Sequence, residues 1–306
     1  MPEPDYQILI DAATWQFIQK TEASYPADTA SLTIADQRRI YDTMCAQFHR
    51  GYPPGVTAQG RSIAGVACRV YDGAGPSVVY VHGGGFVVGG LHSHDDVCAD
   101  LCATTGLQVV AVDYRLSPEH QHPAAFADVC AVVRALPGPL VLAGDSAGGN
   151  LCAAAAHALR SSARILGQVL IYPGLGGDRS KGSYLTHAFA PMLTLADVEF
   201  YAGIRNGGAE VRGDPTLAPL QAIDFSGLPP TVAIAAECDP LADDAHAYAT
   251  AIRAAGGKAA AFTAPGMVHG YLRARGSVPR AATSFTEICN AISALSKGDW
   301  PYGDFT

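Results

Sequence analysis

Charge is scarce in this chain of 306 residues. Only 16% are Asp, Glu, Lys or Arg, and the imbalance is negative, a formal net charge of −8. A negative surface repels phosphate backbones and anionic lipid, so nucleic acid and membrane surfaces are poor partners. Long apolar runs are missing as well: none approaches the roughly 18 residues a membrane span needs. The opening Met1-Pro2-Glu3-Pro4-Asp5 lacks the basic-then-apolar order of a signal peptide. Clustered cysteine is also absent. The eight cysteines are scattered, and only Cys98 and Cys102 lie close together, on an expected helix where their spacing suits neither a disulfide nor a zinc knuckle. Cys130, Cys152 and Cys289 fall in apolar runs, where a free thiol behaves as a small hydrophobe. A reducing, cytoplasmic compartment is the expectation. No internal repeat or low-complexity tract interrupts the chain. Apolar residues, at 49%, are plentiful enough for a large core.

Hydrophobic periodicity divides the chain. Residues 1–50 read as amphipathic helices: Ile8, Ile10, Ala13, Trp15, Phe17 and Ile18 alternate with Asp11, Gln16 and Lys20. A second helical segment runs from Ile34 to Arg50 and stops at Gly51-Tyr52-Pro53-Pro54. From there short apolar strands alternate with helices. Residues 77–81, 109–112, 140–143, 169–172 and 231–235 read as buried strands, and 124–136 and 147–160 as helices between them. Continuous apolar strands alternating with helices predict an α/β fold, a mostly parallel central sheet flanked by helices on both faces. Residues 174–214 break the rhythm. They are Gly-rich, then aromatic (Tyr184, Phe189, Phe200, Tyr201), and too long for an ordinary connection, so a lid is expected there.

The chemistry-bearing residues fall at strand ends. Gly144-Asp145-Ser146-Ala147-Gly148 follows a strand and opens a helix. A serine lifted above a sheet edge needs a turn so sharp that its neighbours two before and two after must lack side chains, which Gly144 and Gly148 do. The helix N-terminus there favours negative charge. Upstream, His82-Gly83-Gly84-Gly85-Phe86 follows another strand, and its glycines leave N–H groups uncovered by Cβ atoms. No Lys follows them, as a phosphate-binding loop would require. Gly84 and Gly85, with the Ala147 N–H, are therefore candidate donors to an oxyanion. A serine hydroxyl needs a base, and the base an orienting acid, in the chain order Ser, acid, His. The strand 231–235 leads into Glu237-Cys238-Asp239, and the extended segment 258–264 into Gly266-Met267-Val268-His269. Asp239 and His269 stand where acid and base belong. Glu237, Asp243 and Asp244 are alternatives for the acid, and His246 for the base; Asp243, Asp244 and His246 are expected on the solvent face of the next helix.

These motifs together resemble the hormone-sensitive-lipase-like branch of the α/β-hydrolases, family IV among bacterial enzymes: His82-Gly83-Gly84-Gly85, Gly144-Asp145-Ser146-Ala147-Gly148-Gly149, Asp239-Pro240-Leu241 and Gly266-Met267-Val268-His269-Gly270. Asp113-Tyr114-Arg115-Leu116-Ser117-Pro118-Glu119-His120 is similar to a run of that family too, with Ser117 where Ala is usual. The resemblance spans about residues 55–300. It implies a carboxylesterase acting on short-chain acyl esters through a Ser146-His269-Asp239 triad and an acyl-enzyme, without cofactor or metal. It also implies helical cap pieces, which fit residues 1–50 and 174–214, over a catalytic domain covering 51–306. An amidase or deacetylase using the same triad is the alternative. A ligand receptor on this scaffold, as in plant gibberellin receptors, lacks the base that His269 supplies here. The expected partner is a small-molecule ester. A homodimer is the assembly considered.

Phe86, Trp15 and Tyr184 are the candidates for contact with substrate, and a roof of Trp15, Phe17, Tyr184 and Phe189 is expected over Ser146. Tyr114, Arg115, Glu119 and His120 read as a buried polar network behind the oxyanion loop. His92-Ser93-His94-Asp95-Asp96 looks like a metal cluster, but Ser93 or Asp95 capping the next helix is the simpler reading. Asp145 is expected to tie down the nucleophile's turn.

Overall fold

A computed structural model describes residues 4–161, 164–209 and 213–303. Residues 1–3 and 210–212, at the edges of the two expected cap segments, lie outside the described residues. Helices α1 (Tyr6–Leu9), α2 (Ala12–Glu22) and α3 (Ile34–Ala46) come first. Each opens on a side-chain oxygen, of Asp5, Asp11 and Thr33, that accepts an otherwise orphaned N–H of the first turn. Then follow β1 (Ala58–Ile63), β2 (Val66–Tyr71), β3 (Ala74–Val81), α4 (Asp95–Thr105), β4 (Leu107–Val112), α5 (Ala124–Ala135), β5 (Leu140–Asp145), α6 (Ala147–Leu159) and β6 (Ile165–Ile171). The chain continues through α7 (Ser183–Thr186), α8 (Leu195–Arg205), β7 (Thr231–Cys238), α9 (Ala242–Ala254), β8 (Ala259–Val268) and α10 (Pro279–Ser296).

The strands form one sheet in the order β1-β2-β4-β3-β5-β6-β7-β8. β2 runs antiparallel to both its neighbours, and every other pairing is parallel. β3 shows why its sequence is apolar without alternation. Val78 and Tyr80 join one core, with Leu101 of α4 and Ile288 and Ile292 of α10. Val79 and Val81 join the other, with Val129 of α5 and Leu151 of α6. A strand buried on both faces has no polar side, and each such valine contributes roughly 1.5–3 kcal/mol by leaving water.

The expected strands all lie within the observed ones but for one end. Residue 172 is outside β6, because Tyr172 turns out of the strand at a φ of 33°. The N-terminal helices are not a separate layer. Ile10, Phe17 and Ile18 are buried in the same core as β3 and α10. Phe17 packs edge-on against Phe48, with ring centroids 5.2 Å apart, so it belongs to the core rather than to the roof expected for it. No helix among the described residues is long and apolar enough to cross a membrane.

Candidate active site

Parallel strands deliver their carboxyl ends to one edge of the sheet, where loops can converge. Ser146 follows β5, His82 to Phe86 follow β3, Asp239 follows β7 and His269 follows β8. Ser146 sits between strand and helix at φ 54° and ψ −118°, a left-handed conformation rare for a residue with a side chain. Its N–H donates to the Ile171 carbonyl at 2.9 Å, which pins the turn to β6. A Cβ on Gly144 would come within 2.7 Å of the Gly148 backbone, and one on Gly148 would collide with the Val81 carbonyl. The close crossing of β5, α6 and β3 therefore requires both glycines.

The three sequence candidates form a hydrogen-bonded chain. The His269 Nε2 lies 2.8 Å from the Ser146 Oγ, and the His269 Nδ1 lies 2.6 Å from the Asp239 Oδ2. Asp239 is fully buried, and its Oδ1 accepts the Leu241 N–H at 2.9 Å. With the imidazole proton on Nδ1, that nitrogen donates to Asp239 and Nε2 accepts from the serine hydroxyl. Tyr172, expelled from β6, places its ring 4.8 Å from that of His269.

The glycine loop is shaped by positive φ at Gly84, Gly85 and Phe86, of 127°, 59° and 67°. The Gly83 N–H is used by the Asp145 Oδ1 at 3.0 Å. The Gly84, Gly85 and Ala147 N–H groups donate to no atom among the described residues, and all three residues line the cavity that opens on Ser146. Among the described residues no group of three His, Cys, Asp or Glu is placed to hold a metal.

Asp145 is the joint beneath this arrangement. It is 2% exposed and accepts from the Gly83 N–H, the Tyr80 hydroxyl at 2.8 Å and the His94 Nε2 at 3.2 Å. Burial pushes its carboxyl up, but the facing His94 and Arg273 and the Tyr80 hydrogen bond outweigh it, and the group is held well below the usual carboxylate range. The His92–Asp96 run contributes to this joint and caps nothing. The His94 residue at the start of α4 makes no side-chain cap, and the Ser93 hydroxyl bonds Gly90 and the His94 Nδ1 instead. Asp95 binds Arg69 and the hydroxyls of Tyr52 and Tyr71. Neither expected cap forms, because these other partners claim both side chains.

Tyr114 is buried, with its hydroxyl on the His82 carbonyl at 2.9 Å, but Arg115, Glu119 and His120 are exposed. The network expected of them is mostly at the surface. Glu119 pairs with Arg38 of α3 at 2.7 Å, and the same guanidinium donates to the Val87 and Ser117 carbonyls, fastening the N-terminal helices to the loop behind Gly84 and Gly85.

One expectation about α9 differs from the structure. Asp244 does not face solvent: it is 2% exposed and accepts from the Leu175 N–H at 2.6 Å and the Tyr184 hydroxyl at 3.0 Å. Asp243 is exposed but accepts the Ser183 N–H at 2.8 Å. Both tie segment 174–184 to α9. Glu237 accepts the Gly266 N–H at 2.6 Å, and the exposed His246 bonds Thr263, so neither stands at Ser146. Burial holds the Asp244 carboxyl up at about 6, against 3.8 ordinarily, while its hydrogen bonds oppose the shift. Between those values the folded state keeps a proton that the unfolded chain has lost, so stability tied to that proton is complete in acid and is lost as pH rises toward 6. A shift of about two units corresponds to about 3 kcal/mol. The unfolding free energy of the native protein minus that of Asp244→Asn should therefore fall by up to about 3 kcal/mol from about pH 4 to about pH 6. Urea titrations across that range check it, and a constant difference would contradict the assignment.

The cavity measures about 1690 Å³ and is lined by residues from both expected cap segments, including Trp15, Tyr41, Tyr184 and Tyr201. Trp15, Phe86 and Tyr184 all line it, although the Tyr184 hydroxyl is committed to Asp244. Phe189 lines its mouth and is 75% exposed. Asn150 and Arg205, which no sequence motif singled out, line it too. Asn150 stands one helical turn after Ser146, and its amide bridges the Gly174 and Leu217 carbonyls. The run Gly148-Gly149-Asn150 was the available signal for it.

Comparison with known proteins agrees with the fold. A family model described as alpha/beta hydrolase fold matches residues 78–273. The carboxylesterase NlhH of Mycobacterium tuberculosis is 39% identical over 223 residues, 68% of this chain and 70% of the relative. An ethyl acetate hydrolase of Pseudomonas putida is 32% identical over 233 residues, 72% of this chain and 73% of the relative. Among solved structures, a thermostable esterase from Pseudomonas putida matches with a TM-score of 0.85 at 25% identity, over 94% of this chain and 97% of that one. The chain belongs to the hormone-sensitive-lipase-like branch of the α/β-hydrolases, a group of carboxylic ester hydrolases.

Proposed function

We propose that this protein is a carboxylesterase that hydrolyses short-chain acyl esters through Ser146, His269 and Asp239. The observation that carries the reading is the unbroken chain from the Ser146 Oγ through His269 to the buried Asp239, facing three uncommitted N–H groups across one cavity. In the acylation step the Ser146 Oγ attacks the ester carbonyl carbon while His269 Nε2 takes its proton. Asp239 holds the ring and stabilises its charged form. The oxyanion accepts from the Gly84, Gly85 and Ala147 N–H groups, which are already in place and cost no reorganisation. Collapse of the tetrahedral adduct breaks the bond to the alcohol oxygen, and His269 returns the proton to that oxygen. Water, deprotonated by His269, then attacks the acyl-enzyme, and release of the acid restores the serine.

Helices α1 to α3 and the segment 174–214 act together in this proposal as a cap that encloses the ester. Eight buried free thiols fit a reducing, cytoplasmic setting. The cavity exceeds what a short acyl group fills, so the alcohol half of the ester takes the larger share. On the acyl side each buried methylene is worth about 0.8 kcal/mol, or about fourfold in kcat/KM, until overpacking costs about 1–3 kcal/mol. We expect kcat/KM on p-nitrophenyl esters to peak between acetate and hexanoate and then fall steeply. Measurement across acyl chains of two to sixteen carbons tests this, and a peak at ten carbons or beyond would contradict it.

A further inference from the structure

The cavity at Ser146 holds a charge that ester hydrolysis does not use. Arg205, the last residue of α8, lines it and is 5% exposed. Its guanidinium carbon lies 3.6 Å from the centroid of the Phe86 ring. Nη1 donates to the Leu217 carbonyl at 2.9 Å and Nη2 to the Asn150 Oδ1 at 3.2 Å. The remaining N–H groups of the guanidinium have no partner among the described residues. No carboxylate among those residues forms an ion pair with it. Asp214, the acid that acts on it through space, is already bonded by His122 at 3.2 Å and by the Thr216 N–H and hydroxyl. Burial lowers the guanidinium to about 9, with Tyr114 and Asp214 opposing, so it remains cationic at neutral pH.

Two neutral acceptors do not require a cation; a glutamine could serve them. A buried cation without a counter-charge is costly, and it persists where something else supplies the missing negative charge. The location says what that is. Phe86 directly follows Gly85, and Asn150 is one turn along α6 from Ser146, so Arg205 stands beside both halves of the reacting site. Its planar fork presents parallel N–H donors that match a carboxylate.

We propose that Arg205 is a specificity-determining residue that binds a free carboxylate on the substrate, so that the preferred esters carry an anionic group in addition to the scissile bond. This inference rests on the proposed ester hydrolysis at Ser146, and its test separates the two. Hydrolysis is followed by pH-stat on matched pairs. Monoethyl succinate, glutarate and adipate against ethyl butanoate, pentanoate and hexanoate place the carboxylate on the acyl side. O-acetylglycolate and 3-acetoxypropanoate against propyl and butyl acetate place it on the alcohol side. The native protein should favour the anionic member in at least one arm by about tenfold or more, the value of a hydrogen bond to a charged group. That ratio should fall about tenfold in Arg205→Gln and recover in part in Arg205→Lys. A merely structural Arg205 would lower both members alike, and an unmoved ratio overturns the proposal. If Arg205→Gln does not fold, the native ratios decide, and the lack of an anionic preference in every pair overturns it. Turnover of the neutral esters reports on ester hydrolysis itself. Calorimetric binding to Ser146→Ala of monoethyl glutarate against ethyl pentanoate and of 3-acetoxypropanoate against butyl acetate reports on Arg205 without turnover, and equal affinities within both pairs would likewise overturn the proposal.

Discussion

Ser146→Ala is expected to lower kcat on any accepted ester by on the order of 10⁴-fold or more while leaving the protein folded, as loss of a triad serine does elsewhere. Among the described residues the Oγ makes one hydrogen bond, with His269 Nε2. The turn is held by backbone bonds that alanine keeps, from the Ser146 N–H to Ile171 and from the Asn150 N–H to the Ser146 carbonyl. Alanine meets the same positive φ, so the thermal midpoint should move by no more than a few degrees. Losing the nucleophile removes the covalent route entirely, and only the oxyanion donors and binding would remain to assist water. Steady-state kinetics on p-nitrophenyl butyrate with a folded variant checks this. Retention of more than a small fraction of native turnover would show that another group attacks.

Asp145→Ala should be costly in two separate readouts. The carboxylate is the common acceptor for β3, through Tyr80, for the glycine loop, through the Gly83 N–H, and for α4, through His94. Removing one member of a buried charged network costs about 3–5 kcal/mol. The same change frees the loop that carries Gly84 and Gly85, and misplacing one oxyanion donor costs about 10²–10³ in kcat. The folded carboxyl is depressed, so its contribution is full above the unfolded pKa and is lost as pH falls through the folded value. The native protein should therefore lose its stability advantage over Asp145→Ala only in strong acid. Guanidinium titrations and kcat measure the two effects. A variant within about 1 kcal/mol and threefold in kcat of the native protein would refute the joint.

Much of this was legible in the sequence because physical constraints there are local. The serine turn announces itself through Gly144 and Gly148, since no other residue tolerates the crossing of β5, α6 and β3. The parallel strands announce themselves because burial on both faces erases alternation, as at Val78 to Val81. What escaped depends on partners distant in sequence. Asp244 reads as a solvent-facing helix residue until segment 174–184 is seen to lie across α9. Phe17 reads as roof until Phe48 is found beside it. Asp95 looks like a cap because nothing local shows that Arg69, Tyr52 and Tyr71 claim it. Arg205 has no motif around it at all; only the closing of α8 over Phe86 and Asn150 reveals an unpaired cation in the cavity.

The account stands most directly on Ser146 as the attacking group, and covalent labelling tests that directly. A fluorophosphonate added in slight excess to the native protein should attach once, on the peptide carrying Ser146, with ester turnover falling in proportion to the labelled fraction. His269→Ala should label far more slowly, because nothing then takes the serine proton. Stoichiometric labelling on a different residue, or full turnover by protein already labelled at Ser146, would contradict the account.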